Sequence, residues 1–416
     1  MERLRKLCFY LAFMFSTITG STLATPSTCP TDHPLQVPLS SPLHRDTSPW
    51  SHPPLCITDK TQPSFKYCVY ASSTLNAGHG ISFITRSNTE KDILPFLTTT
   101  CSPLTDLARR DLAPNTSSSA PYIIRNLPTK NHGRGVFARR HIQRGETFMI
   151  SFPAVVIDQT LESDDASEHL SDADRFKLFK AAFEQLPVPE RALSCAASWG
   201  EGNLHENIMR TNAFGVKIAG GRYSGLFPET ALMNHDCAPN AVIRFSKTTL
   251  ATEAVAIRDV EPGEELTISY IPIDLPIKER LSLLESHFNF QCTCKLCSAP
   301  PDKQRYSDLR RERIGSVRSL IKKVKETSNV DDLAAELFAL VEEEGLQLKL
   351  KEYDNELWIV YYQLGDVDSA IKYAEAALKE AEELGGVQGG EDDEVQVAIR
   401  RNLGIMRRLQ AQKAEL

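Results

Sequence analysis

At 416 residues, 41% of them hydrophobic, the chain has enough apolar material for two or three packed domains and falls outside the disordered class. Its net charge of -7 excludes an overall basic field of the kind that binds nucleic acid non-specifically, so no direct nucleic-acid partner is expected.

The first residues read as an export signal: a positive MERLRK, an apolar LCFYLAFMFSTITG and small residues in STLAT, with cleavage after Ala24. The apolar run is too short to cross a bilayer comfortably, and no later segment approaches that length, so the mature chain is expected to have no membrane span. A buried N-terminal helix is the alternative. Residues 25–120 are rich in Pro, Ser and Thr and read as a loop-rich lead-in, with strand candidates at FKYCVYA and GHGISFIT. Cys29, Cys56, Cys68 and Cys101 in this region would make two disulfides in an oxidising compartment, in any of three connectivities, or stay as four buried thiols.

Gly133 and Gly135 mark a turn in NHGRGVFARRHIQRGETFMI, and Gly145 marks another before the apolar run TFMISFPAVVI, a pattern of small strands. Phe176, Phe179, Phe183 and Leu186 share one helical face, with Ser171 or Asp172 suited to cap it. A second helix is expected through LHENIMRTNAF. Strands return at NAVIRFSK, TLATEAVAIRDV and EELTISYIPI, and PIKERLSLLESHF reads as a helix with Pro276 near its start.

From Ser307 onward the pattern is almost all helical. Tyr361, Gly365, Ala370, Ala377 and Leu378 stand at spacings that resemble a tetratricopeptide-type hairpin, which a plain helical bundle explains equally well. The basic run RRERIGSVRSLIKKVK is interleaved with apolar residues at helical spacing and reads as a solvated helix face.

Cys292, Cys294 and Cys297 form a C-x-C-x2-C cluster, and Cys237 is the obvious remote fourth ligand. Four thiolates satisfy a tetrahedral Zn2+ with no position left for water, which makes a structural site and argues against a zinc hydrolase. A disulfide within the cluster, or inert thiols, would explain the same residues.

Five motifs then occur in one order: GRGVFA at 133–138, TNAFG at 211–215, NHDCAPN at 234–240, GEELTISY at 263–270 and FQCTCKLC ending at Cys297. In that order they resemble SET-domain protein lysine methyltransferases, and more closely the branch with an interrupted SET domain and a helical C-terminal half, with its fungal relatives. The resemblance implies an α+β fold of small sheets with a knot-like crossing, a zinc-bound segment after the SET domain, and an all-α C-terminal region. The organisation expected is a signal over 1–24, the Cys-containing lead-in over 25–120, a SET domain over 121–271 with a helical insertion at 160–210, the zinc segment over 272–299 and helices over 300–416.

The resemblance also implies roles. Gly133, Arg134 and Gly135 match the turn whose backbone lies against S-adenosylmethionine, where small residues allow close approach. Asn212 matches a contact to the amino-acid end of that cofactor, and Asn234 and His235 match the pair that holds it through amide and backbone groups. Phe290 matches the aromatic that stacks on adenine. Tyr270 matches the tyrosine beside the methyl-transfer channel, with a protein lysine side chain as substrate. Two departures stand out: Asp236 where Ser is common, and no zinc-finger insertion, since 158–206 contains Cys195 alone among cysteines. The competing expectation is a non-catalytic SET-fold interaction protein of the secretory pathway. An export signal implies secretion, against the cytoplasmic or nuclear location of most relatives.

Overall fold

The computed structural model describes residues 49–98, 120–127, 133–162, 166–197, 202–246, 249–384 and 394–414. The export signal, Cys29 and Cys101 lie outside the described residues.

The N-terminal elements are strands β1 (Leu55–Thr58), β2 (Lys66–Ser72) and β3 (Ile81–Arg86), followed by helix α1 (Glu90–Thr98). The described part of the lead-in is therefore not loop-rich. Alternating side chains on β2 and β3 are buried on both faces, so the strands need cover from both sides. They obtain it by joining strands from the middle of the chain. Next come β4 (Tyr122–Asn126), β5 (Arg134–Ala138), β6 (Thr147–Ser151) and β7 (Val155–Asp158), and β3 pairs parallel with β7. Cys56 and Cys68 face each other directly across β1 and β2 and are joined as a disulfide.

The insertion is helical: α2 (Ala166–His169), α3 (Asp172–Glu184), α4 (Pro189–Leu193) and α5 (Leu204–Asn212). Ser171 caps α3, accepting from the Asp174 N–H at 3.2 Å. Phe179, Phe183 and Leu186 are buried as the periodicity requires, but Phe176 is 45% exposed and Leu178 takes the inner position. Strands β8 (Phe214–Ile218) and β9 (Gly221–Leu226) complete a six-stranded sheet in the order β1-β2-β3-β7-β9-β8. One face packs Phe179, Phe183, Ile208 and Met209 against Tyr67, Val69 and Ile84, and the other packs Tyr70, Phe83, Val216 and Phe227.

Beyond it, β10 (Asn234–His235), β11 (Ala241–Phe245), β12 (Thr252–Ala256) and β13 (Thr267–Ile268) build smaller sheets. The order β11-β12-β6 is antiparallel, β4 pairs with β5, and β10 lies parallel to β13. The strand expected over EELTISYIPI shortens to two residues because its hydrogen bonds are shared. Leu266 N–H donates to Val136 O at 2.7 Å and Ala138 N–H to Glu264 O at 2.9 Å on one side, while β10 takes the other. That parallel pair is the chain crossing that holds the site.

Helix α6 (Ile277–Phe288) follows, ended by Asn289 in the left-handed region at φ 55°. The remainder is helical: α7 (Pro301–Ile321), α8 (Thr327–Glu344), α9 (Leu350–Gln363), α10 (Val367–Glu383) and α11 (Glu394–Ala414). Tyr361 and Tyr373 stack across the α9/α10 pair with ring centres 5.3 Å apart, and Ala370, Ala374 and Ala377 let the two helices approach closely.

The basic run is a solvated face only in part: Arg313, Lys322, Lys323 and Lys325 are exposed, while Arg310 and Arg311 pair with Glu344, Arg313 with Glu336, and Arg318 and Lys322 with Glu356 on α8 and α9. The acids arrive because Ile314, Val317 and Ile321 bury α7 against those helices. Several contacts fix this half to the sheets, among them Arg244 Nη1 donating to Leu384 O at 2.6 Å. Arg311 donates to Ile273 O, and Arg144 pairs with Glu380 at 2.8 Å beside Gly145, where a Cβ would lie 2.8 Å from Glu383 O. Among the described residues no helix is long and apolar enough to cross a membrane.

Candidate metal centre and cofactor pocket

The register of β10 against β13 sets Asn234 opposite Thr267 and His235 opposite Ile268. Asn240 locks that register, donating from Nδ2 to Glu265 O at 2.8 Å and accepting the Thr267 N–H on Oδ1 at 2.9 Å. Two residues beyond the pairing, the Tyr270 hydroxyl donates to Met233 O at 2.7 Å. Burial, with the Glu265 carboxylate, pushes the phenol above its ordinary value, so it keeps its proton.

The turn at Gly133–Gly135 closes on this crossing. Asn234 Nδ2 donates to Arg134 O at 3.0 Å and to Glu265 Oε1 at 2.7 Å. Gly135 has no space for a side chain, because a Cβ there would lie 2.6 Å from Glu265 Oε1 and 3.1 Å from Asn234 Nδ2. At Gly133, φ +54°, no atom of the described residues lies within 4 Å of the position a Cβ would take. With both amide hydrogens of Asn234 committed, what it offers a ligand is the Oδ1 acceptor. Asn212 is similar: its Nδ2 donates to Ala196 O at 2.6 Å and Ile208 O at 2.7 Å. Arg134 donates to Ser194 O, so the segment 194–196 brings Asn212 and the Gly-rich turn into one neighbourhood. The His235 ring spends both nitrogens inside the protein, on the Tyr270 N–H at 3.1 Å and on Cys237 Sγ at 3.3 Å. Any ligand contact from His235 is left to its main chain.

Aromatic rings converge here. Tyr270 lies 5.4 Å from His235, 5.0 Å from Phe288 and 6.3 Å from Phe290, and Phe290 lies 6.1 Å from His235. Sequence reasoning missed Glu265, Met233 and Phe288. The first stands inside the motif that carries Tyr270; Phe288 stands two residues before Phe290 and could have been found by that spacing. Nothing in the sequence marks the carbonyl of Met233. Asp236 turns its carboxylate onto the Ala238 N–H at 2.7 Å, and burial pushes it up to about 6.

Cys237, Cys292, Cys294 and Cys297 bring their sulfurs within 4.8 Å of one another, and none is in a disulfide. Cys237 Sγ is 4.0 Å from Cys292 Sγ and 3.5 Å from Cys297 Sγ. A tetrahedral zinc with Zn–S of about 2.3 Å requires sulfurs about 3.8 Å apart, so the donor set fits. The thiols perturb one another: the hydrogen bond to Cys292 and its neighbours pushes the Cys237 thiol up, while the bond to Cys237 pulls Cys294 down. A divalent cation would let all four ionise together. Gln304 ties the cluster to α7, donating to Cys297 O at 3.0 Å and Ala299 O at 2.8 Å.

The segment that holds the Gly-rich turn and this crossing is the part of the chain that known families resemble. The SET-domain family model matches residues 133–271. The chain is also similar to N-lysine methyltransferase SMYD2-A of Danio rerio, at 28% identity over 153 residues covering 36% of this chain and 32% of that one. It is similar to N-lysine methyltransferase SMYD2 of Gallus gallus, at 43% over 75 residues, 18% of this chain and 17% of the other. Histone-lysine N-methyltransferase set5 of Schizosaccharomyces pombe matches at 28% over 200 residues, 46% of this chain and 56% of its own. The chain thus spans less than two thirds of each of these relatives.

Proposed function

We propose that the protein transfers a methyl group from S-adenosylmethionine to the ε-amine of a protein lysine. The observation that carries this reading is that Tyr270, Asn234 and Phe290 gather around one crossing, with Asn234 bonded to the Gly-rich turn at Arg134 O. The similarity to proteins named N-lysine and histone-lysine methyltransferases, and the SET-domain match, support it. When bound, S-adenosylmethionine supplies an electrophilic methyl on a cationic sulfur.

The chain's own residues do the rest. The Gly133–Gly135 backbone and the Asn234 and Asn212 Oδ1 acceptors suit the charged amino-acid end, and the half-buried Phe290 ring suits adenine. A lysine amine must be neutral to attack, and its reference pKa of about 10.4 leaves a deficit of about 4.6 kcal/mol at pH 7. Apolar walls from Tyr270, Phe288 and Ile271 favour the neutral form, and so does a cationic neighbour. The Tyr270 hydroxyl is no general base. With its proton on Met233 O, it presents oxygen lone pairs that accept an amine N–H and so aim the nitrogen. Zinc would be held by Cys237, Cys292, Cys294 and Cys297 with no open position, as a fold-defining ion.

Labelled methyl transfer to protein lysines tests this. Tyr270→Phe should lower the rate by roughly 100- to 1,000-fold, the range for one lost transition-state donor or acceptor. Full activity in that variant would remove the mechanism. Binding of S-adenosylmethionine without any transfer would favour the non-catalytic reading. We further propose an oxidising compartment, supported by the Cys56–Cys68 disulfide. N-terminal sequencing of the native protein should find the export signal removed; retained Met1 would overturn that location.

A further inference from the structure

The His235 side chain is bonded to both the cysteine centre and the residue at the transfer channel. The residue is 9% exposed, with ring Nδ1 3.1 Å from Tyr270 N and Nε2 3.3 Å from Cys237 Sγ. A main-chain N–H only donates, so Nδ1 must present a lone pair. The neutral ring then carries its hydrogen on Nε2, aimed at the sulfur. The backbone holds this arrangement from both sides: His235 pairs with Ile268, and Asp236 N–H donates to Ile268 O at 2.9 Å. The main chain of His235 and Asp236 is thus fixed against Ile268, and the Tyr270 side chain is tied to Met233 O.

We propose that His235 is a positioning residue that couples the two sites: its Nε2–H holds the Cys237 thiolate in the geometry that zinc needs, and its Nδ1 holds the main chain of Tyr270. Occupancy of the metal centre thereby sets the placement of the transfer-channel tyrosine. The proposal rests on the reading of the four cysteines as a zinc centre and of Tyr270 as the channel residue. An N–H donated to a bound thiolate withdraws charge from it and fixes its lone-pair direction, and outer-shell partners of this kind typically change metal affinity by about 10- to 100-fold.

Two substitutions separate the two bonds. His235→Asn keeps an acceptor near the Nδ1 position and ends short of the sulfur. His235→Gln carries an amide N–H to the Nε2 position and lacks the acceptor. Zinc release to a chromogenic chelator should speed up by about 10- to 100-fold in His235→Asn and by no more than about threefold in His235→Gln. Methyl transfer by zinc-saturated His235→Gln should fall at least about 10-fold, with release still slow. Equal release rates in the two variants, or native release in both, would overturn the coupling. Purified native protein without zinc would sink the underlying metal reading instead. Nitrogen-15 histidine spectra of the native protein loaded with cadmium-113 need no variant. An Nε2–H tautomer coupled through the N–H···S bond to the metal is expected, and an Nδ1–H tautomer would overturn the proposal.

Discussion

The two halves of this molecule are stabilised in opposite ways. In the helical half, α7 to α11, neighbours in sequence are neighbours in space, the core is a continuous set of Leu, Val, Ala and Tyr contacts, and surface charge is paired helix to helix. Around the site, contacts join residues far apart in the chain: Asn234 to Arg134, Tyr270 to His235, and Cys237 to Cys292 and Cys297. Elements of two residues, such as β10 and β13, carry too few ladder bonds to hold themselves. A zinc ion held by the four cysteines would supply what local structure cannot, so on the zinc reading the site region should fail on metal loss while the helical half persists.

The largest effect expected is therefore from Cys292→Ser. Structural zinc contributes folding free energy of about 10 to 16 kcal/mol in small domains, as much as the whole net stability of a typical one at about 5 to 15. The variant should lose protection from proteolysis around residues 235–297 while most of the far-ultraviolet helical signal remains. Loss of the helical signal in step with the site would erase the contrast between the halves.

A smaller effect sharpens the same comparison from the helical side. Arg311 and Glu344 form a pair with both side chains 1% exposed, whereas Arg313 and Glu336 are 47% and 37% exposed. Glu344→Ala strands Arg311 in the core and should cost about 3 to 5 kcal/mol in denaturant unfolding. Arg313→Ala should cost about 0 to 1 kcal/mol. Equal costs would mean that the ion-pair ladder acts as a unit and not residue by residue.

The smallest effect expected is a pH slope shared by the halves. Burial raises Glu162 in the sheet half to about 7 and Asp354 in the helical half to about 7. A folded-state acid with a raised pKa binds more protons than its unfolded form, from its ordinary value near 4 up to about 7, so stability falls as pH rises through that window. Urea midpoints should be lower at pH 8 than at pH 5, and Glu162→Gln should shrink that difference. An unchanged difference would place the slope elsewhere.

Legibility in the sequence followed the same division. The cysteine spacing and the Asn234 to Asn240 run pointed to the centre because metal ligands and special turns use few residue types. The strands at 66–72 and 81–86 were visible in their apolar runs, yet nothing local said that β3 would pair with β7 across seventy residues of chain, so the N-terminal region read as a separate lead-in. The role of the basic run on α7 was hidden for a related reason: charge at helical spacing looks the same whether water or Glu344 and Glu356 face it. Glu265 and Met233 act through positions that only the crossing defines.

The most direct test is calorimetric titration of S-adenosylmethionine into the protein with zinc bound, after stripping by a chelator, and after zinc is restored. Binding in the first and third states and none in the second is the predicted result. Equal binding by the stripped protein would contradict the claim that the four-cysteine centre assembles the cofactor pocket.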